Sequence, residues 1–342
     1  MSEPRPVLFV GSVPLKDEEA VFRAFADHVG ECAHRYPDGE TGERINWIRW
    51  QRHIFDDNPA LELEDASVAL PGYKDTLKRP FFKLRPGAKD INFKPLGFAA
   101  QAAKSFSTFS KLKAGGAIPS STRFQVSIPT VLAILSGFVV VEDRAKVEPA
   151  LEAAMELEVD RLVASIPPDQ LSIQWDVCHE IVGIDGGYEL HFGNVLSNAV
   201  ERVRRQVEFV PADVEVGIHL CYGDPGHKHI IEPKDTRTCV AFSNALCTAA
   251  KRLVDWIHMP IPRGWLSESY YAPLADLRLP AGTELYLGLV HYTDGIEGTR
   301  KRINLASRFL KSFGLATECG LGRRDPATIP KLLDIHRSAT TA

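Results

Sequence analysis

Short apolar runs recur along the chain and alternate with longer stretches whose apolar residues recur every three or four positions. Several of the short runs are nearly continuous in Val, Ile, Leu and Phe, which is typical of strands covered on both faces of a parallel sheet. The strands predicted from these runs cover residues 7–13, 31–36, 123–128, 171–177, 214–222, 253–258, 284–291 and 314–319.

The longer stretches have the spacing of amphipathic helices. In the first of them, Ala20, Val21, Phe25 and Val29 fall on one face. The predicted helices cover residues 17–28, 147–164, 194–207, 236–252 and 298–313. Eight strands alternating with helices predict an α/β protein built as a (β/α)8 TIM barrel. One such barrel with an insertion accounts for residues 1–342 as a single domain.

The predicted insertion covers about residues 46–121, between the second and third strands, where the alternation is lost. Its half from 71 to 120 contains ten Lys or Arg residues and only two acidic residues, Asp75 and Asp90. One interpretation is a solvated excursion on the surface. The other is an arm or lid whose positive field attracts an anionic substrate.

Composition narrows the classes of function. The chain is 44% hydrophobic and 25% charged, which excludes wholesale disorder, and its net charge of -4 argues against a general nucleic-acid binder. No apolar run approaches the roughly 20 residues that span a bilayer, and the start of the chain has no signal-peptide pattern. We therefore expect a cytoplasmic protein without a membrane partner, whose six cysteines are thiols or metal ligands.

Candidate chemistry lies where the predicted strands end, because the catalytic residues of such barrels follow the carboxyl ends of the strands. His219 and Cys221 are two apart on a strand and so face the same side. Cys319 ends the eighth predicted strand and His258 ends the sixth. Sulfur and imidazole ligands at one rim make up the donor set of a zinc site. The alternative is that these residues are simply buried in the core.

Four short motifs carry a resemblance that spans nearly the whole chain in the correct order. They are Val10-Gly11-Ser12, Gln174-Trp175-Asp176, His219-x-Cys221 and Cys319-Gly320. Together they resemble the catalytic barrel of cobalamin-independent methionine synthase, whose superfamily also holds thiol alkyltransferases such as the epoxyalkane:coenzyme M transferases.

The resemblance implies a fold, a metal and a reaction. Zinc is held by His219, Cys221 and Cys319, with an open position for a substrate thiol. The turn at Gly11 and Ser12 holds the amino-acid or acidic portion of that thiol. Asp176 matches the acidic residue of the second-substrate pocket. The implied function is a zinc-dependent methyl or alkyl transferase acting on a small-molecule thiol and an alkyl donor.

Formal charge explains why this ligand set suits thiol alkylation. A free thiol has a pKa near 8.5 and is mostly protonated at neutral pH, whereas zinc removes its proton. Two thiolates and one imidazole cancel the charge of the ion, so a bound sulfur stays nucleophilic. The leaving group then needs a proton, for which Asp176, His179 and Glu180 are the predicted catalytic donors.

One departure from the family pattern leaves other functions open. The synthases use a glutamate near the end of strand six as an additional zinc ligand, and here that place holds His258. A neutral ligand makes the metal a better Lewis acid, which allows a zinc-dependent lyase or demethylase-type enzyme on an oxygenated substrate. The acidic-Pro-Ala continuation after Asp176 is missing, so a folate-type methyl donor is not supported.

A third interpretation needs no metal. The barrel is superficially also like uroporphyrinogen decarboxylase and would bind a tetrapyrrole or corrinoid through its basic segment. Coloured protein, or salt-sensitive binding of anionic macrocycles, would favour it. The sequence sets no oligomeric state.

Further polar residues at the rim are candidates for substrate contacts. Asp38 and Glu40 lie in a Pro-Asp-Gly turn and either cap that turn or grip a cationic or hydroxylated group. His227 and His229 flank a lysine on a loop that is either solvated or binds a carboxylate or phosphate. His291 ends the seventh predicted strand and is either an acid/base group or a packing histidine. Gln125 is assigned to substrate binding at the barrel mouth or interior.

Overall fold

The computed structural model describes residues 4–64, 81–224 and 228–342. Its strands are β1 (Val7–Leu8), β2 (Arg35–Pro37), β3 (Leu61–Glu64), β4 (Phe81–Leu84), β5 (Arg123–Pro129), β6 (Leu171–Val177), β7 (Glu215–Leu220), β8 (Trp256–Pro260), β9 (Glu284–Val290) and β10 (Gly314–Thr317). Eight of them form one parallel sheet in the order β1-β10-β9-β8-β7-β6-β5-β2. A parallel bridge from Val7 to Ala33, just before β2, brings the two edge strands together. The sheet is therefore a nearly closed barrel, and the predicted TIM-barrel fold is confirmed.

Helices follow the strands and cover the outside of the barrel. They are α1 (Glu18–His28), α2 (Arg52–Asp56), α3 (Phe98–Ala114), α4 (Val131–Phe138), α5 (Val141–Ser165), α6 (His179–Ile184), α7 (Val195–Phe209), α8 (Arg237–Ala249), α9 (Glu268–Tyr271), α10 (Gly295–Ala306) and α11 (Ile329–Ala339). The apolar face that predicted α1 is buried, and the Asp17 carboxylate caps the helix by accepting from the Ala20 amide. Among the described residues, no helix has the length and apolarity that a bilayer crossing requires.

Several predicted boundaries move, and the shifts have local causes. The first strand ends at Leu8 instead of 13, and the chain bends at Gly11 beyond it. Two of the six residues of the predicted strand 31–36 belong to a one-turn 3-10 helix, Gly30–Cys32, and β2 is only three residues long. The helix predicted over 298–313 starts earlier, at Gly295, and ends at Ala306.

The excursion beyond the barrel is shorter than the predicted insertion 46–121. Helix α3 contacts α1 and α5 and so belongs to the outer helix layer of the barrel. The part before it holds a 3-10 segment, Gly42–Gln51, helix α2 and the antiparallel hairpin of β3 and β4. Residues 65–80, with part of the basic half, lie outside the described residues. Lys83 and Arg85 in the hairpin pair with carboxylates of the same hairpin.

A buried ion cluster closes the end of the barrel opposite the candidate site. The Arg35 guanidinium on β2 bonds the Glu215 carboxylate on β7 and the Glu284 carboxylate on β9, each at 2.7 Å. It also stacks over the Trp256 ring at 4.3 Å. One side chain thus links three strands across the barrel floor.

Candidate metal centre and active-site cavity

Three predicted zinc ligands meet at the carboxyl ends of two strands. His219 is the last residue but one of β7, Cys221 directly follows that strand, and Cys319 lies two residues after β10. The ligand atoms of the three residues all lie within 4.8 Å of one another. The two Sγ atoms are 3.7 Å apart. Two Zn–S bonds of 2.3 Å at the tetrahedral angle place the sulfurs about 3.8 Å apart, so this pair has the spacing that one zinc ion requires. The donor set and its spacing fit zinc.

His258 does not join this group, which corrects the prediction that it is a fourth ligand. Its Nε2 lies 3.0 Å from the Thr317 carbonyl oxygen, which can only accept, so Nε2 carries the proton. Its Nδ1 then accepts from Nδ1 of His219 at 2.7 Å. This leaves Nε2 of His219 with a lone pair for the metal. His258 therefore fixes the tautomer of the ligand, as residues behind metal-binding histidines do.

Burial sets the protonation of the ligands. It lowers the pKa of His219 well below its ordinary value, which keeps the imidazole neutral and able to bind a metal. A hydrogen bond with Cys178, together with burial, raises the pKa of Cys221. The hydrogen bond with Cys221, and again burial, raises that of Cys319. The thiols thus keep their protons until a cation replaces them.

Cys178 is a cavity residue that the sequence analysis did not place. Asp176 on β6 lies beside His219 on β7, and two residues further along both strands Cys178 comes beside Cys221. The Cys221 amide donates to the Val177 carbonyl at 3.1 Å and so continues the ladder to this point. The sheet register is what places Cys178 beside Cys221, and this register cannot be known until β6 and β7 are known to be neighbours.

A cavity of about 320 Å³ opens beside the two sulfurs. Its floor is the turn from Val10 to Ser12, and its roof is the apolar Ile45, Trp47, Ile48 and Phe81. A side chain at Gly137 in α4 would place its Cβ 2.4 Å from Cδ1 of Ile48, so glycine is what lets the roof settle onto the barrel. The excursion thus contributes an apolar roof to the cavity.

Two buried carboxyl groups face this cavity. Oε2 of Glu40 accepts from the Ser12 amide at 2.7 Å and the Ser12 hydroxyl at 2.8 Å. Asp176 accepts from Nε2 of Gln174 at 2.9 Å and Nε1 of Trp47 at 3.1 Å. Burial raises the pKa of both groups, and the charge of Glu40 raises that of Asp176 further. Two buried acids, one of which raises the pKa of the other, are poised to accept a cation.

Comparison with known proteins supports the fold. No family model matches the chain, and no curated protein matches its sequence. Among solved structures, a B12-independent methionine synthase from Shewanella sp. W3-18-1, in complex with selenomethionine, superposes with a TM-score of 0.69 at 13% identity, covering 99% of this chain and 97% of that one. The chain shares the fold of the B12-independent methionine synthases.

Two further structures give the same result. A Listeria monocytogenes protein assigned as a vitamin-B12-independent methionine synthase has a TM-score of 0.60 at 14% identity, over 100% of this chain and 98% of that one. A methyltransferase from Methanosarcina mazei has a TM-score of 0.54 at 10% identity, over 100% and 96%. At such identities the likeness establishes the methionine synthase fold, and the site must be argued from its own residues.

Strained backbone within this methionine synthase fold coincides with the cavity. Trp47 and Glu40 have φ values of 55° and 48°, in the left-handed region that non-glycine residues rarely adopt. Both side chains line the cavity. Such strain persists where the surrounding structure holds it and is concentrated at functional sites.

The predicted site residues divide into three groups. Gly11, Ser12, Glu40, Asp176 and His179 line the cavity beside the metal ligands. Three others do not, and the structure places them as follows. Asp38 is held by Arg44 at 2.8 Å and by Ser105 at 2.7 Å. Gln125 donates to the Phe9 carbonyl oxygen at 2.9 Å inside the barrel, and Glu180, a residue of α6, is fully buried.

The remaining predicted histidines lie elsewhere. His229 and His291 line a second cavity, on the other side of Cys221 and Cys319. His227 lies outside the described residues. The sequence analysis missed Trp47 and Cys178 in the first cavity, because one lies in the excursion and the other depends on strand register.

Proposed function

We propose that the protein is a zinc-dependent methyl or alkyl transferase that binds a thiol and directs its sulfur at an alkyl carbon. The observation that carries this proposal is the convergence of His219, Cys221 and Cys319 on a cavity wall, with the sulfurs 3.7 Å apart. Zinc in a neutral site of this kind would hold a coordinated thiol as a reactive thiolate at neutral pH. The shared fold with methionine synthases supports the same class of reaction.

The number of ligands favours a catalytic site. Catalytic zinc has three protein ligands and an open position, whereas four protein ligands close a structural site. His258 is engaged by His219 and the Thr317 carbonyl oxygen and does not fill that position. The lyase or demethylase interpretation rested on His258 as a ligand, and it loses that support.

The carboxyl pair defines the charge of the thiol substrate. Glu40 and Asp176 are buried on the cavity wall and raise each other's cost of ionisation. A substrate ammonium group between them would remove that cost. Because both Ser12 donors are already bonded to Glu40, they orient this carboxylate and do not themselves hold the substrate. The substrate class is therefore an aminothiol.

The proton for the leaving group is assigned to His179. Of the three predicted donors, Glu180 does not line the cavity, and Asp176 is committed to the ammonium group. His179 lines the cavity, and its ring makes an edge contact with the Trp47 ring, with centroids 5.8 Å apart. This places an acid/base group in the cavity, next to the Trp47 ring that also bonds Asp176.

X-ray absorption at the zinc edge tests the proposal. Purified protein loaded with zinc should show two sulfur ligands, and cysteamine should add a third near 2.3 Å. 1-Propanethiol, which has nearly the same size but no ammonium group, should require a much higher concentration. An unchanged zinc spectrum at saturating cysteamine would contradict thiol activation, and equal affinity for the two thiols would contradict the role of the carboxyl pair.

A further inference from the structure

The second cavity, of about 650 Å³, shares a wall with the first. Cys221, Gly223, Asp224, Cys319 and Gly320 line both. The two sulfur ligands therefore stand in the partition between the cavities. A molecule in the second cavity lies directly against the sulfurs, on the side away from the carboxyl pair.

Three cationic side chains line the second cavity without an ion partner. Lys228 and Arg263 are exposed and Arg324 is half-buried. Within the described chain, none of the three forms a salt bridge with a carboxylate. Burial lowers the pKa of Arg324, because its charge is partly removed from water without full compensation.

The carboxylates of the same cavity are already paired. Glu318 lies 2.7 Å from Nε2 of His229, and Glu232 lies 3.0 Å from its Nδ1. Despite burial, these two acids raise the pKa of His229 to about 9, so it is an imidazolium at neutral pH. Asp224 pairs with Arg323 at 3.4 Å. The single charge of His229 offsets one of its two carboxylates, and the charges of Asp224 and Glu318 also act on Arg324. The remaining carboxylate offsets only one of the three cations, so the cavity keeps a net positive charge.

We propose that the second cavity binds an anionic group, a carboxylate or a phosphate, of the other substrate of the transfer, held by Arg324 with Lys228 and Arg263, while the alkyl carbon of that substrate reaches past the shared wall to the thiol in the first cavity. The catalytic meaning of this site rests on the proposed function, whereas the binding of an anion does not. The volume is in the range of small-molecule sites. Half-buried Trp265, stacked on Tyr270 with ring centroids 5.2 Å apart, adds an apolar face for the rest of the molecule.

Calorimetric titration of the zinc-loaded protein with inorganic phosphate, and separately with succinate, tests the site. We expect one saturable ion per chain, and the tighter of the two probes identifies the anionic group. Arg324→Gln should weaken binding about tenfold or more, because it removes a charge-assisted contact. Arg300→Gln is the matched control, since Arg300 is exposed on α10 and pairs with Glu297 at 3.5 Å. Equal affinity of the two variants, or no saturable binding, would overturn the proposal.

A second series separates this inference from the proposed function. The same titration is repeated with Cys319→Ser protein, from which the zinc site has been removed. One outcome is that the variant still binds the anion while the zinc spectrum of the parent does not change when a thiol is added. The transferase proposal would then fail, and the anion site would stand. Thiol coordination without any anion binding would mean the reverse.

Discussion

At the scale of single residues, the metal centre depends on where a few protons lie. The Thr317 carbonyl oxygen fixes the proton of His258, and His258 in turn fixes the proton of His219. The thiols of Cys221 and Cys319 have raised pKa values because they share hydrogen bonds and are buried. Zinc binding must therefore displace thiol protons, and metal affinity is linked to pH.

Replacing one sulfur ligand should remove the metal without unfolding the protein. We expect Cys319→Ser to bind no zinc at micromolar concentrations, while the parent binds one ion per chain and releases about two protons. Cys247→Ser is the control, because Cys247 is a half-buried thiol on α8 outside the cluster. Metal analysis and titration in weakly buffered solution measure both quantities. Full zinc content in Cys319→Ser would refute the assignment of the ligands.

Neutralising one member of the carboxyl pair should raise stability and lower substrate affinity. In the parent, the folded pair retains a proton that the unfolded chain has lost above the ordinary carboxyl pKa. The free energy of unfolding therefore falls as pH rises from there toward the raised folded pKa. Glu40→Gln should reduce this fall and weaken cysteamine binding about tenfold or more. Urea unfolding at several pH values, with Glu297→Gln as the exposed control, measures the first effect. A pH dependence identical to the parent would contradict it.

The sequence identified three residues that converge in the structure because their chemistry is local, but it could not assign their roles. His219 and Cys221 face the same side because strand side chains alternate, and Cys319 ends another strand. Whether His258 contacts the metal or a ligand depends on a ring orientation fixed by the backbone of β10. The position of Cys178 depends on register, since it is adjacent to Cys221 only when β6 pairs with β7.

At the scale of elements, the 3-10 segment Gly42–Gln51 covers the cavity. Its backbone kinks at Asn46 and Trp47, which turns the Trp47 indole toward Asp176. Ile48 of the same segment packs against Gly137 in α4. The segment thus supplies both an apolar roof and one hydrogen-bond donor to the carboxyl pair.

Removing that donor should shift a pH profile. The hydrogen bond from Trp47 lowers the pKa of Asp176 against the larger effect of burial. Trp47→Phe keeps an aromatic roof but removes the donor, so the pKa of Asp176 should rise. Because the ammonium group needs ionised carboxyls, cysteamine affinity should then decline at a higher pH than in the parent. Trp50→Phe is the control in the same segment, and isothermal titration across pH 5–8 is the measurement. If cysteamine affinity declined at the same pH in Trp47→Phe and in the parent, the hydrogen bond from Trp47 to Asp176 would be contradicted.

Element prediction succeeded where burial dominates the pattern. Strand β6 was predicted at its observed bounds, because all seven of its residues are buried. β1 and β2 are only two and three residues long, so turn and 3-10 geometry around them override a short apolar run. The β3–β4 hairpin was not foreseen, since its pairing depends on contacts between segments separated by residues 65–80.

At the scale of the whole molecule, one end of the barrel stabilises the fold and the other end holds the candidate site. The floor is fastened by Arg35, which joins β2 to β7 and β9. The mouth holds the candidate metal ligands, which bring the ends of β7 and β10 together. Stability and chemistry are therefore placed at opposite ends, as expected for such barrels.

Changing the floor should therefore weaken the fold and leave the metal centre intact. We expect Arg35→Met to lower the free energy of unfolding by about 2 kcal/mol, less than for a fully buried pair because Glu215 and Glu284 are partly exposed. Burial favours a higher pKa for the Glu284 carboxyl, but hydrogen bonds and charge from His34 and Arg35 lower that pKa to about 2. The stability that comes from this lowered pKa is present above the ordinary carboxyl pKa and is lost as pH falls toward 2. The variant should therefore lose less stability in acid than the parent does. Urea unfolding and zinc analysis test both points. Loss of zinc in the folded variant would contradict the separation.

The position of Cys221 and Cys319 in the wall between the two cavities has a kinetic consequence. Because the thiol would enter through the first cavity and the anionic substrate through the second, neither reactant has to pass the other to reach the metal centre. Either one can enter first, and the alkylated product can depart while its co-product is still in place. Initial rates measured against both concentrations would then give intersecting lines, the pattern of a ternary complex.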